Sequence, residues 1–307
     1  MATVLIVVHP ERTEAADAAN ELARQLTDLA VADSHTVLMS SADAARAGVV
    51  DVTGVHVVEP LAAPVDGIDL AVSIGGDGTM LYTTALVAGS PTPVIGVNCG
   101  RLGYLTEVEI DQAAEAVATA LAGDADLEER MRIRLEVVRA DGTVEGPWTA
   151  LNEGVVEKRE QGHTVHLAVD FDDRPFMQYS ADGLIVATPT GSTAYSMSAR
   201  GPIVEPTHRA VLFTPVSPHT LFDRSLVLDP STTVRITVAS EREATLSVDG
   251  VAEAQLFEGD TVIATAADQS TLLVRTGARR FHDVLRTKFG LPDTTLDHGS
   301  EEGRGAR

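Results

Sequence analysis

Helical periodicity alternates with short apolar runs through roughly the first 121 residues of this chain, and then largely stops. Residues 3–8 (TVLIVV) are an unbroken apolar, β-branched run, closed by His9-Pro10 and followed by a helical pattern from about residue 13 to 29. A run with no polar alternation predicts a parallel strand buried on both faces. The alternation repeats with apolar 36–39, Ala-rich 41–47, apolar 55–58 and 70–74, a helical stretch over 80–87, apolar 94–97 and a helix over about 111–121. Strands taking turns with helices predict an open α/β sheet. A charged stretch (GDADLEERMRIR) fills 123–134, and from Leu135 to about Arg275 short runs separated by Gly, Pro, Asp and Ser predict a β-rich, sandwich-like region. The expected division is an α/β domain over 1–127, a β-rich domain over 128–277, a closing helix within 278–290 that packs back, and a disordered tail over 291–307.

Composition excludes several classes. With 307 residues, 44% of them hydrophobic, the chain can bury two ordinary cores. Its 23 Lys plus Arg against 45 Asp plus Glu, a formal charge of -22, argue against nucleic acid or an anionic membrane as a partner. No charged segment leads into an apolar leader and no apolar run reaches bilayer length, so the expectation is a cytoplasmic protein. Cys99 is the only cysteine, which excludes an intrachain disulfide and a cysteine zinc cage. Lys158 and Lys288 are the only lysines. Phosphate groups would therefore be met by backbone N–H groups, arginines and a divalent cation.

Ile74-Gly75-Gly76-Asp77-Gly78-Thr79 follows an apolar strand and opens a helix, the place where α/β sheets bind ligands. Its glycines let a phosphate approach bare amides, and the helix start favours anions. Asp77, the one ionisable group in this cradle, is the candidate general base toward an attacking hydroxyl; the alternative is a turn aspartate that caps the helix. Thr188 to Ser198 (TPTGSTAYSMS) gathers hydroxyls and one aromatic, suited to phosphate, ribose and a stacked base, or simply a turn with a buried tyrosine. Asp182 offers an acceptor to ribose hydroxyls or a base amino group, with a turn aspartate as the alternative, and the pair Asn152-Glu153 offers an amide and an acceptor to a ribose, a dipeptide that says little taken singly. No HExxH pair or Walker lysine loop is present.

Taken together, GGDGT at 75–79, GVNCGRLGYLTE at 96–107, NE at 152–153, DGLIVATPTGSTAYSMSARGPI at 182–203, PHTL at 218–221 and VDG at 248–250 resemble the NAD kinase family in order and spacing. The resemblance implies transfer of a phosphoryl group from ATP or polyphosphate to the adenosine 2′-hydroxyl of NAD, giving NADP. It implies an N-terminal domain like those of diacylglycerol kinases and phosphofructokinases, joined to an all-β domain, with NAD between them. Asp77 would be the proton acceptor, with Gly75, Gly76, Gly78 and Thr79 around it. Asn152 and Glu153 would meet the nicotinamide half, Asp182 a neighbouring group, and Thr193, Ala194, Tyr195 and Ser198 the adenosine. His163 and Tyr104 match further contact positions. Mg²⁺ or another divalent cation would be held through the donor phosphates, with no side-chain metal ligand assigned, and the chain would form a homodimer or homotetramer. The pattern is broken at Tyr82, Ser180, Arg200 and Val251, where the family more often has arginine, a basic residue, glycine and a polar residue. Arg101 and Arg200 are the expected compensating cations. The rival readings are a lipid or sugar kinase sharing the GGDGT loop, or a catalytically idle NAD-binding regulator.

Overall fold

Five apolar residues in succession, Val4 to Val8, leave β1 (Thr3–Val8) no polar face, and all five are buried within a parallel sheet. The structure, a computed structural model, describes residues 1–28, 34–59, 61, 64–160, 162–277 and 280–291. After β1 come α1 (Thr13–Thr27), β2 (Thr36–Ser40), α2 (Ser41–Ala47), β3 (Val55–Val58), β4 (Leu70–Gly75), α3 (Asp77–Leu86), β5 (Pro93–Asn98), β6 (Val108–Glu109), α4 (Ala113–Ala122) and β7 (Asp126–Arg130). The chain continues as β8 (Ile133–Val138), β9 (Val144–Ala150), β10 (Glu153–Lys158), β11 (Val165–Phe171), β12 (Arg174–Ala181), β13 (Gly183–Ala187), α5 (Tyr195–Ser198), β14 (Val211–Val216) and β15 (Leu226–Leu228). It closes with β16 (Val234–Val238), β17 (Ala244–Val248), β18 (Val251–Leu256), β19 (Thr261–Ala266), β20 (Thr271–Arg275) and α6 (Phe281–Phe289).

The first sheet runs β3-β2-β1-β4-β5-β20-β7, with β6 on the far end of β5, and every pairing but β20 with β7 is parallel. Chain order reverses between β1 and β4, so the carboxyl ends of these two strands flank a crevice. Helices α1, α2 and α4 cover one face, and α1 buries Ala15, Ala19, Leu22, Ala23 and Leu26 at helical spacing. The other face receives α3, and there Leu151 of the β-rich half packs in one cluster with Met80, Leu86 and Leu105. Burying such a leucine is worth about 2 kcal/mol, so this contact joins the two halves.

The second half is two six-stranded antiparallel sheets, β15-β14-β13-β10-β17-β18 and β12-β11-β16-β19-β8-β9, enclosing a shared core that includes Leu135, Leu167, Tyr179, Phe213, Ile236 and Leu246. The α/β plus sandwich-like architecture agrees with the alternation patterns. The expected division at 127/128 and 277/278 is redrawn by two strands. Residues 126–130 form β7 and residues 271–275 form β20, and both belong to the first sheet. The reason is that alternation records which residues are buried and not which sheet buries them: Leu273 enters one face's cluster and Val274 the other's. Of the tail expected over 291–307, only Leu291 lies within the described residues.

Two arginines in the charged stretch between the halves are buried rather than solvated, each 3% exposed. Arg132 donates from Nη1 to the Thr84 carbonyl of α3 and to Thr271 Oγ1 of β20, both at 3.0 Å, and from Nη2 to the Thr149 carbonyl of β9 at 2.9 Å. Burial lowers its pKa, opposed by the Asp249 carboxylate. Arg130 pairs with Glu128 and donates to Thr190 Oγ1 at 3.2 Å. A buried guanidinium whose two Nη groups donate to both domains fixes their relative placement, because parting them would strand a charge away from water.

Candidate active site

The crevice at the β1–β4 reversal is floored by the GGDGT turn. Gly75 ends β4 with its Cα face against Thr79, where a Cβ would come within 2.3 Å of Thr79 Oγ1, so Gly75 and Thr79 are packed together and buried. Gly76 and Gly78 differ: a Cβ on either would meet nothing within 4 Å. Two bare backbone positions thus face open space at the start of a ten-residue helix, a geometry that suits an anionic oxygen.

Asp77, between them, is the first residue of α3, and Gly76 precedes it as the N-cap. Its carboxylate does not close the helix. Oδ2 accepts the Tyr104 N–H and Oδ1 the Leu105 N–H, each at 3.0 Å. The helix-cap alternative is therefore not what holds this side chain. Two of about four acceptor positions are used, and the group remains partly exposed, free to accept from a hydroxyl. Gly103 is required by this arrangement, since a Cβ there would stand 2.2 Å from Asp77 Oδ1. The Tyr104 ring lies under Lys288 of α6, whose ammonium is 4.3 Å from the ring centroid. Burial and the Asp77 charge raise the Tyr104 pKa. Arg12, just past the end of β1, places its guanidinium against Gly100, where a Cβ would fall 2.1 Å from Nη1.

The β-rich half contributes a second group of carboxylates. Asp249, in the tight β17–β18 turn with φ 46°, accepts the amides of Leu151 (2.7 Å), Asn152 (2.8 Å) and Glu153 (3.0 Å). Burial raises its pKa despite these bonds and the Arg132 charge. Glu153 is buried, its Oε2 has no protein partner, and its pKa is pushed up to about 8 by desolvation and by Asp249, opposed by the Tyr195 N–H. At neutral pH it is a carboxylic acid, able to donate as well as accept.

Thr188 to Tyr195 wraps around Asn152. The Thr188 N–H donates to the Asn152 carbonyl at 2.8 Å, and a Cβ on Gly191 would stand 2.2 Å from that oxygen. Thr193 is buried with Oγ1 on the Thr190 carbonyl, whereas Ala194 is half-buried, and Tyr195 and Ser198 are exposed. The alternative of a buried tyrosine does not hold for Tyr195, a residue 39% exposed. Its hydroxyl pKa is raised by desolvation and by Glu157, Asp182 and Glu153. Asp182 is held by Lys158 at 2.5 Å, which engages one of its two oxygens. The PHTL stretch reaches the same place through the His219 N–H, which donates to the Ser180 carbonyl at 2.7 Å.

Tertiary packing thus gathers Asp77, Gly76, Gly78 and Tyr104 at the end of the first sheet, and brings Asn152, Glu153, Thr193 and Tyr195 together in the β-rich half. His163 is exposed on the β10–β11 connection and shares no hydrogen bond or ion pair with them among the described residues. Arg101 and Arg200 are both exposed. Sequence reasoning gave no role to Arg12, Gly103, Arg130 or Asp249. Gly103 and Asp249 lay inside the quoted motifs GRLGYLTE and VDG, while nothing in the residue pattern marks Arg12 or Arg130.

Comparison with known proteins adds the following. The model of the ATP-NAD kinase N-terminal domain matches residues 4–125, and that of the ATP-NAD kinase C-terminal domain matches 151–276. The chain is 40% identical over 290 residues to the NAD kinase of Symbiobacterium thermophilum, spanning 92% of this chain and 97% of that one. It is 36% identical over 301 residues to the NAD kinase of Nocardia farcinica, spanning 95% and 92%. Among solved structures, yeast NADH kinase complexed with NADH superimposes with a TM-score of 0.84 at 25% identity, covering 100% of this chain and 90% of that one. An Archaeoglobus fulgidus NAD kinase has the same fold, with a TM-score of 0.66 at 21% identity over 94% and 98% of the two chains.

Proposed function

This chain belongs to the NAD kinase family and is an NAD-phosphorylating kinase, and we propose that Asp77 is its general base, acting on the adenosine 2′-hydroxyl. The observation that carries the assignment is the Asp77 carboxylate, fixed by the Tyr104 and Leu105 amides between two bare glycine positions. In the reaction the hydroxyl gives its proton to Asp77 while its oxygen bonds to the terminal phosphorus of ATP. The bond from that phosphorus to the bridging oxygen breaks, ADP leaves, and NADP is the product. Such transfers depend on positioning and charge neutralisation more than on covalent help from the protein.

The Gly76 and Gly78 amides and the α3 N-terminus suit the transferring phosphoryl oxygens, and Arg12, set against Gly100 just past β5, is the candidate positive charge. Asn152, protonated Glu153 and the Thr193–Ser198 segment are the acceptor's binding groups, with Tyr195 exposed to stack on a base. Asp182 keeps an oxygen for a sugar or amide donor while Lys158 holds the other. A divalent cation would be carried by the donor phosphates and water. When bound, such a cation would neutralise charge on the donor phosphates.

Relatives at this identity and coverage separate the chain from the lipid and sugar kinase rival. We further read it as a cytoplasmic homodimer or homotetramer. No helix among the described residues is long and apolar enough to cross a membrane, and Leu221, Phe222 and Val227 stand exposed near the β15 sheet edge as an apolar surface for a second copy. The test of the catalytic assignment is Asp77→Asn assayed with NAD, ATP and Mg²⁺. Loss of NADP formation with the fold retained is expected, and turnover near that of the unaltered protein would remove Asp77 from the role. An unaltered protein that binds NAD but makes no NADP would be the idle regulator.

A further inference from the structure

The two lysines of this chain have different surroundings. Lys158 is spent on Asp182 in the β-rich half. Lys288, in the last turn of α6, pairs with no carboxylate among the described residues, and its ammonium rests over the Tyr104 ring instead. Tyr104 is also the residue whose N–H holds Asp77 Oδ2. Its backbone thus fixes the candidate base, and its ring seats a lysine that has no anion.

The placement of α6 gives this contact its direction. Of the nine residues of the helix only Val284 is buried, and the helix borders a cleft of about 410 Å³ that is also lined by Asn98, Gly100 and Leu102. Asn98 ends β5, the strand beside β4, so α6 stands at the carboxyl ends of the sheet, where the GGDGT turn lies. Burial and the Asp77 charge together raise the Tyr104 pKa, so the ring lies in the field of that carboxylate. Lys288 is exposed, and its flexible four-carbon stem lets the ammonium leave the ring without moving the helix. A cation over an exposed ring is held weakly, whereas a phosphoryl oxygen offers both a full charge and a hydrogen bond. In a chain of formal charge -22, phosphates at the crevice have few cations to meet them.

We propose that Lys288 is a phosphate-binding residue of this kinase, its ammonium passing from the Tyr104 ring to the phosphoryl chain of the donor as that chain settles at the Gly76 and Gly78 amides. The proposal rests on the reading of Asp77 as the base, because that reading puts the phosphates at the GGDGT turn. It adds an ammonium to the backbone N–H groups, arginines and divalent cation expected to meet phosphate.

A cation in the last turn also steadies a helix, so the test separates charge at this one position from helix stability. Full-chain variants are assayed in steady state with ATP, NAD and Mg²⁺, with thermal midpoints recorded alongside. Lys288→Gln should raise the KM for ATP about fivefold, the scale of one exposed charge pair, and leave the KM for NAD within twofold. Lys288→Arg, which restores the charge, should return the KM for ATP to within twofold of the unaltered protein. Arg286→Gln, which removes the other cation of the last turn, should leave both constants within twofold. The proposal is overturned if Lys288→Gln leaves the KM for ATP within twofold, if the KM for NAD rises by the same factor, if arginine does not restore the constant, or if Arg286→Gln matches Lys288→Gln. Failure of the Asp77 assignment looks different: Asp77→Asn would keep its kcat while the Lys288 series behaved as expected.

Discussion

Asp77 and Asp249 use the same device in the two halves of the molecule and come out with different roles. Each carboxylate is gripped by backbone amides, two from the loop at 104–105 for Asp77 and three from 151–153 for Asp249. Both side chains are part-buried, Asp77 beside glycines with open space and Asp249 facing the Arg132 charge. The number of amides accepted and the charge faced, more than water access, separate the side chain that can meet a substrate hydroxyl from the one that holds Asn152 and Glu153 in place. Amide contacts orient both groups, but Asp77 accepts two amides and Asp249 three, which leaves Asp77 the larger share of its acceptor positions for a ligand.

The comparison is broken most sharply by charge-neutral substitutions at each end. Asp77→Asn should lower kcat by about a thousandfold, the range of a lost general base, with the thermal midpoint moved by only a few degrees, as steady-state NADP formation and calorimetry would record. Asp249→Asn should do the reverse in kind. An amide nitrogen set against buried N–H groups costs about 2 kcal/mol of stability, measurable by urea unfolding, and activity should fall chiefly through a raised KM for NAD. If Asp249→Asn matched Asp77→Asn in kcat with stability intact, the division of roles would be lost.

A smaller effect sharpens the electrostatic side. Glu153 holds a proton in the folded state up to about pH 8, while an unfolded glutamate releases it near 4.5. A raised acid pKa means that folding stability is lost as pH climbs between those values and levels off above them. Glu153→Gln has no proton to release, so its stability relative to the unaltered protein should rise from pH 5 to pH 8 and then stay flat. Urea midpoints at pH 5, 7 and 9 would show this, and a constant difference would place the Glu153 pKa in the ordinary range. The smallest expected change is at Arg200, which sits at φ 66°, in the left-handed region that favours glycine. Arg200→Gly relieves the left-handed strain but loosens the unfolded chain, a net gain of about 0.5 kcal/mol readable as a small rise in thermal midpoint.

The α/β sheet was legible because its strands carry no polar face and its helices carry one, a difference visible in any single stretch such as 3–8 or 13–27. The GGDGT turn was legible for a related reason, since a strand, three glycines and a helix start leave few backbone solutions. Asp77 could be singled out as the one acid in that turn, but its amide partners lie 27 and 28 residues away. Glu153 could be noted as an acceptor, but its protonation depends on Asp249 and on burial, neither of which its neighbours in the chain reveal.

By itself, then, the sequence determined the two kinds of architecture, their order and the loop where chemistry starts, because those follow from local periodicity and backbone freedom. Only the tertiary structure decided that β20 returns to the first sheet, that Arg130 and Arg132 are buried clasps and not a solvated linker, and that α3 faces β18 across a cleft. Each of these is a pairing between distant segments, and a residue's own neighbours carry no record of which far partner removes it from water.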